Sequence, residues 1–288
     1  MTIAVTFLPR TGPAPLPPLP PVAFIGGGNM ASAIIGGLIR QGTPADAFEV
    51  VEPFEEARAK LAQSFGITAQ AEAGEALSRC GVVVWAVKPQ TFADAARPVR
   101  EFATDALHLS VAAGIPSDSI ARWLGTERVV RAMPNTPALV GKGMTGLYAR
   151  PGAESADRAT VGQLLAPTGE LIWVDAESAL DAVTALSGSG PAYVFYFIDA
   201  MTEAGVEMGL TPEQAQQLAI GTFTGASALA HSATEPPSVL RERVTSKGGT
   251  THAAITSLQQ ADVKAQFKTA IRAAQKRAAE LGEEFGRG

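Results

Sequence analysis

The chain has one cysteine, Cys80, and only three histidines, His108, His231 and His252. A lone thiol cannot close a disulfide within the chain, and so few scattered ligands do not make a structural zinc site. Charge is scarce too: 18% of residues are charged, with 23 basic against 28 acidic side chains and a net charge of −5. That balance lacks the basic field that draws a protein onto nucleic acid or anionic membranes. No stretch reaches the roughly 18 uninterrupted apolar residues of a membrane span. Nor does a small-residue cleavage site follow an apolar run of signal-peptide length. These absences predict a soluble, cytoplasmic protein. What is plentiful is apolar surface, 46% of 288 residues. It excludes disorder over most of the chain, and at roughly 150 residues per domain the length predicts two domains.

Proline is concentrated at one end: residues 1–21 hold seven of the 20 prolines. Such a segment favours extended polyproline chain, and it is read as a flexible tail. From Val22 short apolar runs alternate with helical patterns. Strands are predicted at Pro21–Ile25, Phe48–Val51, Val82–Val87, Leu107–Val111, Val129–Ala132, Met144–Tyr148 and Leu171–Val174. Helices fall at Met30–Arg40, at Phe54–Phe65 (closed by Gly66) and at Ser117–Leu124 (stopped by Gly125). This alternation implies an α/β fold with a parallel, doubly wound sheet over residues 22–175. Residues 176–288 read as all helix: Leu180–Leu186, Ala192–Met208, Thr211–Ala230, Thr251–Gln260 and Val263–Leu281. Thr211-Pro-Glu-Gln214 is a start signal with a capping box and proline in the first turn. These helices are rich in Gly and Ala, which bury little area, so the helical domain is expected to complete its core against a partner chain.

Gly26-Gly27-Gly28-Asn29-Met30-Ala31 fits G-x-G-x-x-A, directly after the first strand and opening the first helix. The first glycine permits a tight turn, the second admits a pyrophosphate to the backbone N–H groups, and Ala31 allows close helix–strand packing. Glu52 lies 24 residues beyond Gly28 at the end of the second strand. A carboxylate there would bond a ribose 2′-OH and favour NAD; it could equally be a solvated loop acid. Ala31 and the nearby Arg58 point toward NADP, so the choice between NADH and NADPH stays open.

Ligands of open α/β sheets bind beyond the C-terminal strand ends, here Val87-Lys88-Pro89, Ala112-Ala113-Gly114 and Ala132–Pro137. Lys88 is the only charge among these residues that could serve the nicotinamide pocket or act as an acid, and an exposed loop lysine is the alternative. Asn135 could orient an amide or a water, or form an Asx turn. Two glycine-rich segments, Leu186–Pro191 and Val244–Thr251, precede helices. Helix starts loosened in this way offer free N–H donors that suit a small carboxylate, and Ser or Thr hydroxyls add more. No Ser/His/Asp or Cys/His arrangement is present: Cys80 reads as a buried thiol, His108 as a strand residue and His231 as a helix-end residue. Hydride transfer fits this scarcity, because a cofactor performs the difficult step.

Together the motifs resemble those of pyrroline-5-carboxylate reductases. The resemblance rests on Phe24–Ala31, Ala86–Pro89, Val130–Ala138, Leu186–Tyr193 and Ser246–Thr251. It implies a Rossmann-type domain followed by an all-helical domain that interleaves with its twin into a homodimer, often assembled further into a decamer. It implies reduction of a cyclic imine to L-proline by NADPH or NADH, with no metal. Carried over, the cofactor would contact Ile25, Gly26, Gly27, Gly28, Asn29, Met30, Glu52, Ala86, Val87, Lys88, Pro89, Ala112, Ala113 and Gly114. The substrate carboxylate would meet Ser246 and the N–H groups of Gly249, Thr250 and Thr251, and the Thr251 hydroxyl would bond the imine nitrogen. Lys247 departs from the proline usual in the family's Ser-Pro-Gly-Gly, and Glu52 from the small polar residues common in NADP-using members. The nearest rival, a small-hydroxyacid dehydrogenase, needs a lysine acid in the helical part. The lysines there are Lys247, Lys264, Lys268 and Lys276, the last three on a charged helix face. A non-enzymatic nucleotide-sensing or pyridoxal-binding module would not need the paired Gly/Ser/Thr loops.

Overall fold

The computed structural model describes residues 18–286. Most of the proline-rich segment lies outside them. Residues 18–21 are not a free tail: Leu19 packs on the core and the Pro21 carbonyl accepts the Gly81 N–H at 3.0 Å.

The described residues form seven strands: β1 (Val22–Ile25), β2 (Phe48–Val51), β3 (Val82–Trp85), β4 (Leu107–Ser110), β5 (Val129–Met133), β6 (Gly143–Ala149) and β7 (Gly169–Trp173). They make one sheet in the order β2-β1-β3-β4-β5-β6-β7. The first five strands are parallel. β6 runs antiparallel to β5, and β7 parallel to β6. The sheet is therefore mixed, where the sequence pattern implies a parallel one. A parallel crossover needs a dozen or more residues, and the β5–β6 link holds only the 3-10 turn Thr136–Val140.

Strands β1 and β3 are buried on both faces, as a sheet covered by helices on both sides requires. Val22 and Phe24 face one core with Ile34, Ile35 and Leu38. Ala23 and Ile25 face the other with Trp85, Phe92 and Ile120. The covering helices are α1 (Asn29–Arg40), α2 (Glu55–Phe65), α3 (Phe92–Arg100), α4 (Ser117–Leu124) and α5 (Ser155–Leu165). The α2 and α4 helices end at Gly66 and Gly125 in the left-handed conformation.

Among the described residues every regular element after β7 is helical: α6 (Ala179–Val183), α7 (Gly190–Glu207), α8 (Pro212–Ser232), α9 (Pro237–Arg243), α10 (Thr250–Gln260) and α11 (Val263–Gly286). Helix α8 starts on the foreseen capping box, with Gln214 N–H on Thr211 Oγ1 at 3.3 Å and Thr211 N–H on Gln214 Oε1 at 3.0 Å. Helices α3, α5 and α9 go beyond those the sequence pattern marks out; α3 contains Pro98 and α9 follows Pro236. Gly205 of α7 lies against Ala215 of α8, where an added Cβ would stand 2.7 Å from the alanine methyl. That contact lets the two helices approach closely. Leu186, Phe195, Tyr196, Leu218 and Leu229 are exposed on this unit, an apolar surface of the kind that partners cover. No helix among the described residues is long and apolar enough to cross a membrane.

Candidate active site

The strand order changes direction between β1 and β3, the switch point where open α/β sheets bind ligands. Gly26 turns the chain there with φ +94° and its N–H on the Val51 carbonyl at 2.8 Å. A Cβ on it would lie 2.6 Å from the Ala86 carbonyl oxygen, so the turn excludes any side chain. Gly28 is the N-cap of α1 and is exposed, with nothing within 4 Å of a Cβ built on it. Open space at the second glycine of the motif is what a pyrophosphate approaching the first-turn N–H donors requires. Ala31 is fully buried against the strands. The residues thus fit a dinucleotide.

Glu52 is 6% exposed, which removes the solvated-acid reading. Its Oε2 accepts the Gly27 N–H at 2.7 Å and its Oε1 the Phe54 N–H at 3.0 Å. Arg58 Nη1 donates to the carbonyls of Glu52 at 2.9 Å and Pro53 at 2.7 Å. The strand-2 end, the glycine turn and the start of α2 are thereby locked together.

At the end of β3, Lys88 is exposed, and its carbonyl accepts both the N–H and the hydroxyl of Thr91 at 3.0 Å. Beyond β4, Ala112 is buried and Ala113 exposed; Gly114 turns at φ +77°. The end of α11 backs that turn: a Cβ at Gly114 would stand 3.2 Å from the Phe285 ring.

Asn135 is neither a free ligand nor an Asx turn. Its Nδ2 donates to the carbonyl and hydroxyl of Ser187, both at 3.2 Å, and its Oδ1 accepts the Met144 N–H at 2.9 Å. It ties the sheet to the Leu186–Pro191 segment. That segment is not an open helix start either. Thr184–Gly188 form a π-helical turn continuing α6, and the Ser189 N–H is spent on the Thr184 carbonyl at 2.8 Å. Of the two anion cradles read from the sequence, this one is closed.

The other is open. Gly248 takes φ +78° and Gly249 is the N-cap of α10, with no side chain capping the helix. The Gly249 N–H closes the turn on the Ser246 carbonyl at 3.0 Å. The donors left to face an anion are therefore the N–H groups of Thr250 and Thr251, in the first helical turn, and the exposed Ser246 hydroxyl. The sequence pattern did not reveal that Gly249 is already engaged. Thr251 is half-buried and Lys247 exposed.

Other reactive side chains are engaged elsewhere. Burial pushes the Cys80 thiol up to about 11. His108 is 1% exposed, with Trp85 Nε1–H on its Nδ1 at 3.0 Å and the Ala103 carbonyl 3.0 Å from its Nε2. Lys276 sits on the outer face of α11, 3.9 Å from Glu280.

A glycine turn at the switch point of a doubly wound sheet, followed by a helical unit with an uncapped helix start, defines a nicotinamide-dependent oxidoreductase of two parts. Residues 21–114 match the family model described as NADP oxidoreductase coenzyme F420-dependent, and residues 177–281 match pyrroline-5-carboxylate reductase dimerisation. Pyrroline-5-carboxylate reductase of Pseudomonas aeruginosa is 46% identical over 93% of this chain and 98% of its own. That of Haemophilus influenzae is 40% identical over 90% and 97%. Among solved structures, a pyrroline-5-carboxylate reductase from Coxiella burnetii superposes with a TM-score of 0.86 at 34% identity, covering 92% of this chain and 99% of that one. The NADP-bound pyrroline carboxylate reductase of Plasmodium falciparum gives 0.81 at 26% identity, covering 91% and 98%. The chain belongs to the pyrroline-5-carboxylate reductase family.

Proposed function

We infer that this chain reduces 1-pyrroline-5-carboxylate to L-proline with NADPH or NADH, the last step of proline synthesis. The observation that carries this reading is the uncapped start of α10, with Ser246, Thr250 and Thr251 grouped as donors, in a chain whose family membership spans nearly its whole length.

When bound, the reduced nicotinamide supplies a hydride to the imine carbon. Gly26–Met30 would hold the pyrophosphate through first-turn N–H groups and the helix dipole. Ala86–Pro89 and Ala112–Gly114 would line the nicotinamide end, and Glu52 the adenosine ribose. Ser246 Oγ and the N–H groups of Thr250 and Thr251 would grip the substrate carboxylate, fixing the ring over the cofactor. Such orientation replaces an encounter in solution and is worth several orders of magnitude in effective concentration. The Thr251 hydroxyl would donate to the ring nitrogen and stabilise the charge changing there. The carbon of the C=N bond gains the hydride, the nitrogen takes one proton from solvent, and the double bond becomes single.

The exposed apolar faces of α7 and α8 support a homodimer formed by the helical part 176–288, with the nucleotide-binding part at 22–175; assembly of dimers into a decamer would follow the family resemblance alone. The enzyme would act in the cytoplasm on a small free substrate, with no nucleic acid or membrane involved.

Purified protein should consume NAD(P)H when given pyrroline-5-carboxylate and not when given small keto acids, followed by loss of reduced-nicotinamide absorbance. Turnover of keto acids alone would sink the reading.

A further inference from the structure

We propose that Glu52 sets the cofactor preference of this chain, selecting NADH by holding an immobile carboxylate against the 2′ position of the adenosine ribose. The inference rests on the reading that the glycine turn binds a nicotinamide dinucleotide. Three observations carry it.

The first is position. Glu52 stands at the C-terminal end of β2, next to β1 and the glycine turn, where a doubly wound sheet presents an acid to the ribose hydroxyls. The second is rigidity. An exposed glutamate could swing aside for a bulky anion, but this one is 6% exposed and both its oxygens are held by backbone N–H groups. Turning away would leave the Gly27 and Phe54 N–H groups unpaired. A 2′-phosphate brought there meets like charge that cannot retreat. The third is the arrangement of Arg58, the cation six residues on. Its Nη1 is bound to the carbonyls of Glu52 and Pro53, so its guanidinium braces the strand end. A ribose 2′-OH, by contrast, finds an oriented acceptor. Glu52 therefore does two things at once: it pins the glycine turn through Gly27 and reads the ribose.

The two roles separate by experiment. Calorimetric titration of the full-length protein with NADH and NADPH, with no imine present, should show NADH binding at least tenfold more tightly. Titration with 5′-AMP and 2′,5′-ADP should give the same order. Glu52→Ser should weaken NADH and shift the NADH:NADPH affinity ratio toward NADPH by at least tenfold. A wild-type preference for NADPH overturns the proposal. So does a Glu52→Ser protein that loses both cofactors in equal proportion, since the carboxylate would then only prop the turn. The AMP and ADP pair, measured on the unaltered chain, keeps the test decisive if Glu52→Ser fails to fold. Failure of the imine-reductase reading looks different: the binding preference would stand while neither cofactor is oxidised by the imine.

Discussion

Asn135 Nδ2 lies 3.2 Å from the Ser187 carbonyl oxygen, joining the loop after β5 to the π-helical turn between α6 and α7. The Ser187 hydroxyl in turn donates to the Met144 carbonyl at 3.2 Å. A cavity of about 600 Å3 opens beside this knot, lined by Asn135, Ser187, Tyr193 and Phe223 among others. Replacing Asn135 by Ala removes two donors and one acceptor at once. We expect a loss of about 1–3 kcal/mol, the usual cost of leaving part-buried polar groups unpaired, read from the urea midpoint. Asn135→Asp keeps the acceptor for Met144 but sets a carboxylate oxygen against the Ser187 carbonyl, and should be at least as destabilising as Asn135→Ala. A Asn135→Ala protein as stable as wild type would show the bridge to be incidental.

His108 makes stability depend on acid. Trp85 Nε1–H can only donate and the Ala103 carbonyl can only accept, so the ring is neutral, with its proton on Nε2. Burial lowers its pKa from 6.5 to about 4. The unfolded chain takes up a proton as pH falls through about 6.5, while the folded chain does not until about 4. The contribution to stability is thus complete above the first value and declines toward the second, by on the order of 3 kcal/mol in all. Denaturation midpoints measured between those limits should fall with acidity in wild type and less steeply in His108→Gln.

Glu177 clamps the joint between sheet and helices. Its Oε1 accepts the Ser117 N–H at 2.6 Å and Arg131 Nη1 at 2.5 Å, and its Oε2 accepts the Ser117 hydroxyl at 2.5 Å. The carboxylate meets the α4 helix at its positive end, which favours the charge further. Glu177→Ala should cost roughly 2 kcal/mol, seen as a lower melting temperature. A shift no larger than that of Arg97→Ala, whose partner Asp94 is 3.8 Å away and largely exposed, would refute the clamp.

At the start of α10, the roles proposed for two hydroxyls should separate kinetically. If the Thr251 hydroxyl donates to the ring nitrogen, Thr251→Ala should drop kcat roughly 10- to 100-fold with KM little altered. If the Ser246 hydroxyl grips the carboxylate before and during reaction, Ser246→Ala should raise KM while kcat changes less. Because no side chain caps this helix, neither change should alter the melting temperature. Equal effects of both variants on kcat would argue against the assigned roles.

Much of this site is legible along the chain because its signals are local. The glycine turn was readable since a strand, a tight turn and a helix start follow one another within ten residues, and the α8 capping box since its partners are three residues apart. Where the sequence pattern misled, the deciding contact was distant. Residues 186–191 look like a helix start, but the π turn spends the Ser189 N–H and Asn135, 52 positions away from Ser187, holds the segment. Glu52 could be placed at a strand end but not oriented, because its partner Gly27 is 25 residues back.

By itself, then, the order of residues determined the alternation of strands and helices, the glycine turn after β1 and the hydroxyl and glycine residues around the start of α10, all products of backbone geometry and short-range hydrogen bonding. Only the folded structure decided the reversal of β6, the burial of Glu52 and the neutral state of His108. Those depend on which segments meet across the sheet, and on how fully each meeting excludes the water that would otherwise solvate the groups concerned.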